Sequence, residues 1–207
     1  MKNVIVNPWI GKLYGKNGYF KNKVMILGES HYCDGCGGDC SATIENKCDS
    51  RKDIIERYLR YKKGNGDFEH WFNTYTKFTN LFIGKKCDNE TTILFWNSIL
   101  FYNYVQKPVT KTRESPTSEM FISNTEAFFE IIKKFNPDAI FAWGKRLWGK
   151  MPSDKYFDGI TILGRTSGFY DIGINKIPVF FIDHPSTGLD YNWTKKYLKK
   201  AMNIIKQ

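Results

Sequence analysis

Residues 24–28 read Val-Met-Ile-Leu-Gly, and the polar residues 29–32, Glu-Ser-His-Tyr, follow them directly. A short apolar run that ends at a glycine predicts a strand buried on both faces. Similar apolar runs occur at residues 100–105, 139–144 and 178–182. Each of these runs carries or precedes polar side chains at its end. The sequence therefore predicts a set of buried strands with polar tips.

Segments with helical periodicity separate these predicted strands. Apolar residues recur at helical spacing over residues 51–61, 118–135 and 193–206, which is typical of helices with one buried face. Strands that alternate with helices predict an α/β fold with a largely parallel sheet. We therefore expect a single domain over residues 1–207, built as a three-layer α/β/α sandwich, with a short edge strand at residues 160–163.

The polar residues that follow the predicted strands are the candidates for a functional site. They are residues 28–32, Asn103, residues 144–146 and residues 184–186. Ligands of open α/β sheets bind outside the carboxyl ends of the strands. Because these ends meet at one edge of a parallel sheet, we expect the polar residues to converge there.

The charge balance points to a partner that carries phosphates. The chain has 31 lysines and arginines against 21 acids, a net charge of +10, so a nucleic acid is the expected partner and an ordinary basic protein is the alternative. Aromatic residues make up 16% of the chain, and some of them can stack on bases. Apolar runs fall short of the ~18 residues of a membrane helix, and the start of the chain has no signal-peptide core. We expect a cytoplasmic protein without a membrane partner.

Four of the five cysteines fall in one short loop. Thiolates at this density suit a tetrahedral zinc ion or an iron–sulfur cluster, and an odd total argues against a secreted disulfide framework. Unmodified thiols and disulfides formed on oxidation are the alternatives. We expect one zinc ion in the cysteine-rich loop at residues 33–48, held by Cys33, Cys36, Cys40 and Cys48.

Four segments resemble the motifs of one enzyme family, in the same order along the chain. Residues 28–32, Gly-Glu-Ser-His-Tyr, resemble a first motif, and residues 184–186, His-Pro-Ser, match the start of a last motif. Residues 143–144, Trp-Gly, resemble a pair at the end of the third strand, and Asn103 stands where a base-reading asparagine is expected. The chain thus resembles the uracil-DNA glycosylase superfamily over residues 8–200.

This resemblance implies a central four-stranded parallel sheet and a hydrolase of DNA repair. Such an enzyme flips a damaged or modified base out of the duplex and hydrolyses its N-glycosidic bond. Ser30 stands where the best-known class has an aspartate that orients the attacking water, and His31 replaces a proline. Residues 187–189, Thr-Gly-Leu, stand where the family has a proline and then a leucine that wedges into DNA. The resemblance does not identify which base is released. The alternative functions are a catalytically inactive DNA- or nucleotide-binding module on the same fold and a zinc-loop interaction protein.

The catalytic residues expected from this pattern are His184, Glu29 and Ser30. His184, next to Pro185, is expected to donate a hydrogen bond to the departing base, and the alternative is a histidine that caps a strand end. Glu29 is a candidate general base, or else a carboxylate that holds its loop through backbone hydrogen bonds. Ser30 occupies the position of the water-orienting aspartate.

Further residues are expected to contact the base and the phosphates. Asn103 has a donor and an acceptor for a base edge, with a strand-end asparagine as the alternative. Tyr32 is expected to pack against the base or sugar, or in the core. His31 is expected in the site or beside the cysteine loop. The expected phosphate contacts are Ser186, Thr187, Lys145 and Arg146.

Overall fold

The structure is a computed structural model that describes residues 1–31, 52–109, 114–173, 175–186 and 190–205. The cysteine-rich loop lies outside the described residues, and so do Tyr32 and Thr187. Within the described ranges, no helix combines the length and the apolar character that are needed to cross a membrane.

The described part of the chain forms seven strands and seven helices. The strands are β1 (Trp9–Ile10), β2 (Val24–Gly28), β3 (Ile99–Asn103), β4 (Ala139–Trp143), β5 (Tyr156–Ile162), β6 (Arg165–Asp171) and β7 (Lys176–Ile182). The helices are α1 (Lys52–Lys62), α2 (Phe72–Ile83), α3 (Asn89–Asn97), α4 (Ser118–Ser123), α5 (Thr125–Phe135), α6 (Lys145–Trp148) and α7 (Tyr191–Ile204). The strands predicted from the apolar runs correspond to β2, β3, β4 and β7.

All of these strands belong to one sheet, in the order β1-β3-β2-β4-β7-β6-β5. β3, β2, β4 and β7 are parallel to their neighbours in this series. β1 pairs antiparallel with β3 at one edge, and the β5–β6 hairpin joins β7 antiparallel at the other. The predicted α/β class is confirmed. The prediction of a four-stranded, mainly parallel sheet is wrong, because antiparallel strands extend it on both sides to seven strands.

Helices cover both faces of the parallel strands. Val24 and Ile26 of β2 pack in an apolar cluster with α1, α2, α3 and α7, whereas Met25 and Leu27 pack in a second cluster with α4, α5 and α6. Successive side chains of a strand point to opposite faces, so a strand covered on both faces must be apolar at every position. This double burial explains the unbroken apolar run at residues 24–28.

The helix predicted at residues 118–135 is divided into α4 and α5 at Asn124. The backbone of Asn124 leaves the helical region, with φ −100° and ψ 2°. Its side-chain Oδ1 accepts hydrogen bonds from the backbone N–H and from Nε2 of Gln106, at 3.3 and 2.9 Å. Gln106 and Asn124 are both buried, and buried polar groups need such partners. The break between α4 and α5 therefore gives the buried Gln106 amide a hydrogen-bond partner. The apolar periodicity of the sequence gives no sign of this contact.

Candidate functional site

The carboxyl ends of the parallel strands lie side by side at one edge of the sheet. Gly28 pairs with Asn103 at the ends of β2 and β3. Trp143 pairs with Ile182 at the ends of β4 and β7. Because β2 also pairs with β4, the loops that leave all four strands start next to one another. The structure thus brings together the polar segments that the sequence places after each strand.

His184 is held in one tautomer by Ser186. The backbone N–H of Ser186 donates to Nδ1 of His184 at 3.2 Å, and the Ser186 hydroxyl lies 2.7 Å from the same nitrogen. A backbone N–H can only donate, so Nδ1 accepts and the proton of the neutral ring lies on Nε2. The ring packs edge-to-face against Trp143, with centroids 5.9 Å apart. His184 is therefore a positioned hydrogen-bond donor at Nε2.

Burial sets the protonation state of His184. Removal of the ring from water lowers its pKa below the ordinary 6.5, because the imidazolium loses solvation. The Glu29 carboxylate raises this pKa and the Arg146 guanidinium lowers it, so both charged groups act on the ring. At neutral pH the ring is uncharged.

Glu29 forms a two-pronged ion pair with Arg146. Arg146 Nε donates to Glu29 Oε2 at 2.7 Å, and Nη2 donates to Oε1. Arg146 Nη1 also donates to the Ser115 hydroxyl. The Glu29 side chain is only 13% exposed, whereas that of Arg146 is 46% exposed. A predicted general base and a predicted phosphate contact thus bind each other in this structure.

Asn103 and His31 form a buried amide–imidazole pair. Asn103 Nδ2 lies 2.9 Å from His31 Nδ1, and both residues are buried. Because an amide nitrogen only donates, His31 Nδ1 accepts, which places the proton of a neutral His31 on Nε2. One hydrogen of the Asn103 amide is therefore committed to His31. The second Nδ2 hydrogen and the oxygen Oδ1 provide the donor and the acceptor that base reading requires.

Backbone hydrogen bonds fix the loop that carries Glu29 and His31. The segment after β3 donates three of them, from Tyr104 to Gly28, from Val105 to Glu29 and from Val109 to His31, at 2.9, 2.8 and 3.1 Å. These bonds extend the β2–β3 pairing beyond the ends of both strands. Glu29 and Asn103 therefore keep a constant separation, as a preorganised site requires.

Replacing Gly28 by alanine should destabilise the protein and displace Asn103. A Cβ at this position would lie 2.0 Å from Asn103 Oδ1, far inside van der Waals contact. We expect a loss of roughly 1–3 kcal/mol in the free energy of unfolding, as for overpacked cores, measured by urea denaturation. Gly159→Ala is the control, because its Cβ would meet Phe169 at an ordinary 3.5 Å. Equal stability of both variants would contradict this account of Gly28.

The remaining predicted residues have distinct surroundings. Ser30 is half-buried in the loop after β2, and Lys145 is exposed at the start of α6. The Ser186 hydroxyl lies against the His184 ring, and its contact with a phosphate stays a prediction. Among the described residues, no group of three or more histidines, cysteines or acids could hold a metal ion. The predicted zinc ligands Cys33, Cys36, Cys40 and Cys48, and also Tyr32 and Thr187, lie outside the described residues, so the zinc site stays a prediction.

Sequence reasoning missed two residues that shape this edge. Arg165 Nη2 binds Asp183 Oδ2 at 3.1 Å, and Asp183 directly precedes His184 in the sequence. Ser115 binds Arg146 from a loop without periodicity. A basic residue at the start of β6 and a serine in a loop give no signal of these contacts.

Comparison with known proteins assigns the chain to no family. No protein-family model matches it, and no curated protein is significantly similar to it. Its function is therefore inferred from the residues at the carboxyl edge of the sheet.

Proposed function

We propose that the protein is a DNA-base glycosylase of uracil-DNA glycosylase type that hydrolyses the N-glycosidic bond of a damaged or modified base. The observation that carries this proposal is the fixed tautomer of His184, which directs an N–H donor from Nε2 at the edge where Asn103 and Glu29 also lie. When the bond breaks, its electron pair leaves with the base. A preorganised donor stabilises the negative charge that develops on a base oxygen.

Glu29 is the group that completes the hydrolysis. A water molecule adds to the sugar carbon that the base has left, and its proton passes to the Glu29 carboxylate. The same carboxylate stabilises the positive charge of the sugar before water adds. Arg146 competes for this carboxylate through two hydrogen bonds. A DNA phosphate that binds the exposed Arg146 would release Glu29 for this role, since guanidinium groups pair with phosphates as readily as with carboxylates.

A panel of oligonucleotides tests the proposal. Duplexes and single strands that contain deoxyuridine, hypoxanthine, xanthine or other modified bases are incubated with the protein and scored for abasic sites. Release of any one base supports a glycosylase and names its substrate. If no base is released and DNA still binds, the protein is a binding module on the same architecture. The Glu29–Arg146 pair favours this second function, because a carboxylate held by arginine is withdrawn from proton transfer.

DNA binding should weaken steeply with salt, and Lys145→Ala should reduce that dependence. Each phosphate that a lysine neutralises contributes about 0.9 to the slope of log affinity against log salt concentration, so we expect the variant to lose about one unit. Lys145 is exposed at the start of α6, beside the site. Fluorescence anisotropy with a labelled duplex at several salt concentrations measures the slope.

Lys16→Ala is the matched control for this prediction. Lys16 is also exposed, but its segment pairs with the starts of the strands, through bonds from Gly11 to Ile99 and from Leu13 to Asn97. The slope should not change in this variant. Two results would contradict a phosphate contact at Lys145: a wild-type affinity that does not depend on salt concentration, or an equal change of the slope in both variants.

A further inference from the structure

The hydrogen-bond ladder between β6 and β7 ends before β7 does, and Arg165 spans the gap that results. The last pair of this ladder is Gly168 with Val179, whereas β7 continues further along β4. Beyond the last pair, the Phe181 carbonyl accepts a hydrogen bond from the Arg165 guanidinium at 3.3 Å. A side chain of β6 thus takes over from its backbone at the end of β7 that carries the candidate site.

Arg165 also binds the residue that directly precedes His184. Its Nη2 donates to Oδ2 of Asp183 at 3.1 Å. Because the guanidinium is a rigid fork, it holds the Phe181 carbonyl and the Asp183 carboxylate in a fixed relation. On the other side of His184, Pro185 is buried, and a proline restricts the backbone of the residue before it. Both chain neighbours of His184 are therefore fixed.

Aromatic rings hold the guanidinium in this position. It lies 4.6 Å from the ring centroid of Phe181 and 4.2 Å from that of Trp193, distances at which ring faces attract cations. Trp193 belongs to the first turn of α7, and Tyr197 stacks on it, with centroids 5.0 Å apart. Arg165 thereby ties the end of β7 to the start of α7, and these are the elements before and after His184.

Stability alone does not account for an arginine at this position. The side chains of Arg165 and Asp183 are 21% and 24% exposed, so both charges are partly removed from water. The cost of this desolvation offsets much of the attraction in such pairs, and apolar side chains of similar size often stabilise a protein as well. An apolar side chain cannot donate directed hydrogen bonds to a carbonyl and a carboxylate. The pair therefore contributes orientation rather than stability.

We propose that Arg165 is a positioning residue for His184, which keeps the imidazole against the Trp143 ring and directs its Nε2 at the departing base. This inference rests on the proposed function for the departing base, whereas the position of the ring can be measured without it. An error of ~1 Å in the placement of a catalytic group can cost ~10²-fold in rate. The β5–β6 hairpin, which extends the sheet beyond its parallel strands, thereby contributes to the site.

Arg165→Lys tests this role, because lysine keeps the positive charge but lacks the planar fork. The chain has only three histidines, His31, His70 and His184, so NMR on protein with isotope-labelled histidine resolves each ring. In the wild-type protein, the His184 nitrogens should show one tautomer, with the proton on Nε2, and the ring current of Trp143 should shift its ring protons. In the variant, we expect both tautomers and ring-proton shifts close to those of a free histidine.

A second histidine and a second arginine provide the controls. His31 is held by Asn103 at 2.9 Å in a different loop, so its signals should not move. Arg57→Lys is the matched variant, because Arg57 also binds a carboxylate, at 2.7 Å, and lies over the ring of Trp71, 5.6 Å from its centroid. This variant should leave the His184 signals unchanged.

Asp183→Asn changes the same contact from its other end. Asparagine keeps an oxygen for Arg165 but loses the charge-assisted hydrogen bond, so the His184 signals should move in the same direction as in Arg165→Lys. For a base that the oligonucleotide panel identifies, single-turnover cleavage by Arg165→Lys should fall about 10²-fold at an unchanged affinity for DNA.

The spectra distinguish this inference from the proposed function. A change confined to His184 supports the positioning role, even if no base is released from any substrate and the glycosylase proposal fails. His184 signals that keep their wild-type values in both Arg165→Lys and Asp183→Asn would overturn it. Equal changes at all three histidines in Arg165→Lys would also overturn it, since Arg165 would then support the fold as a whole.

Discussion

Replacing His184 by alanine should slow single-turnover base release about 10²–10³-fold, as for loss of one oxyanion-hole donor. The variant loses the N–H at Nε2 that the contact with Ser186 holds in place. Affinity for DNA should change little, because contacts to phosphates supply most of it. Single-turnover kinetics with enzyme in excess, on the base that the panel identifies, measures the rate.

The pH dependence of cleavage gives an independent check on His184. In the proposed mechanism the neutral ring is the active form, and burial lowers the pKa of His184. Protonation would occur at Nδ1 and disrupt the bond from the Ser186 N–H. The wild-type rate should therefore hold as pH falls through 6.5, the ordinary value, and drop only at lower pH. His70→Ala is the control, since His70 is exposed and its ring packs edge-to-face against Phe68, with centroids 5.7 Å apart. Equal cleavage by His184→Ala and wild type would remove this residue from the mechanism.

Replacing Glu29 by glutamine should lower the rate about 10²–10⁴-fold, the usual contribution of a general base. Glutamine keeps an oxygen that can accept from Arg146, so the loop should retain its shape, but it cannot take the proton of water. We expect an unchanged melting temperature together with the loss of rate. Circular dichroism and single-turnover cleavage on the same samples measure both.

Glu69→Gln is the matched control for this variant. Glu69 also pairs with an arginine, since both of its oxygens lie 2.7 Å from Arg57 Nη2. This pair is exposed, and it joins α1 to the segment before α2, which are not part of the candidate site. Its loss should leave cleavage unchanged. A Glu29→Gln variant that cleaves at the wild-type rate would show that Glu29 only secures its loop through Arg146.

The buried strands are predictable from the sequence because they are covered on both faces. β2 and β4 are apolar at every position before their terminal residues, and a glycine follows or ends each of them. Helix α2 is harder to predict from the sequence, because the polar Thr79 lies on its buried face. There Thr79 accepts a hydrogen bond from Trp96 Nε1 at 2.9 Å. β6 contains Gly168, at which a Cβ would lie 2.1 Å from the Phe157 carbonyl. Such features depend on tertiary neighbours, which periodicity does not report.

The sequence predicts which strand ends carry the residues of the candidate site, but it does not predict which side chains contact one another there. The position of Glu29, Asn103 and His184 at or just after the ends of buried strands follows from the sequence. Their partners do not, since the Glu29–Arg146 pair depends on how α6 turns away from β4 at Gly144, whose φ is 95°. The His31–Asn103 pair likewise depends on how two loops run together beyond β2 and β3.

The site exists only after contacts between residues far apart in the sequence have formed. Glu29 and Arg146 are 117 positions apart in the sequence, and His31 and Asn103 are 72 apart. Contacts between distant residues form slowly in folding, whereas helices form early from local contacts. A nascent or partly folded chain therefore carries its net positive charge before these contacts have formed. Under the proposed function, the parallel pairing of β2 with β3 and β4 has to form before any base is removed, because it sets the strand ends that carry the site side by side.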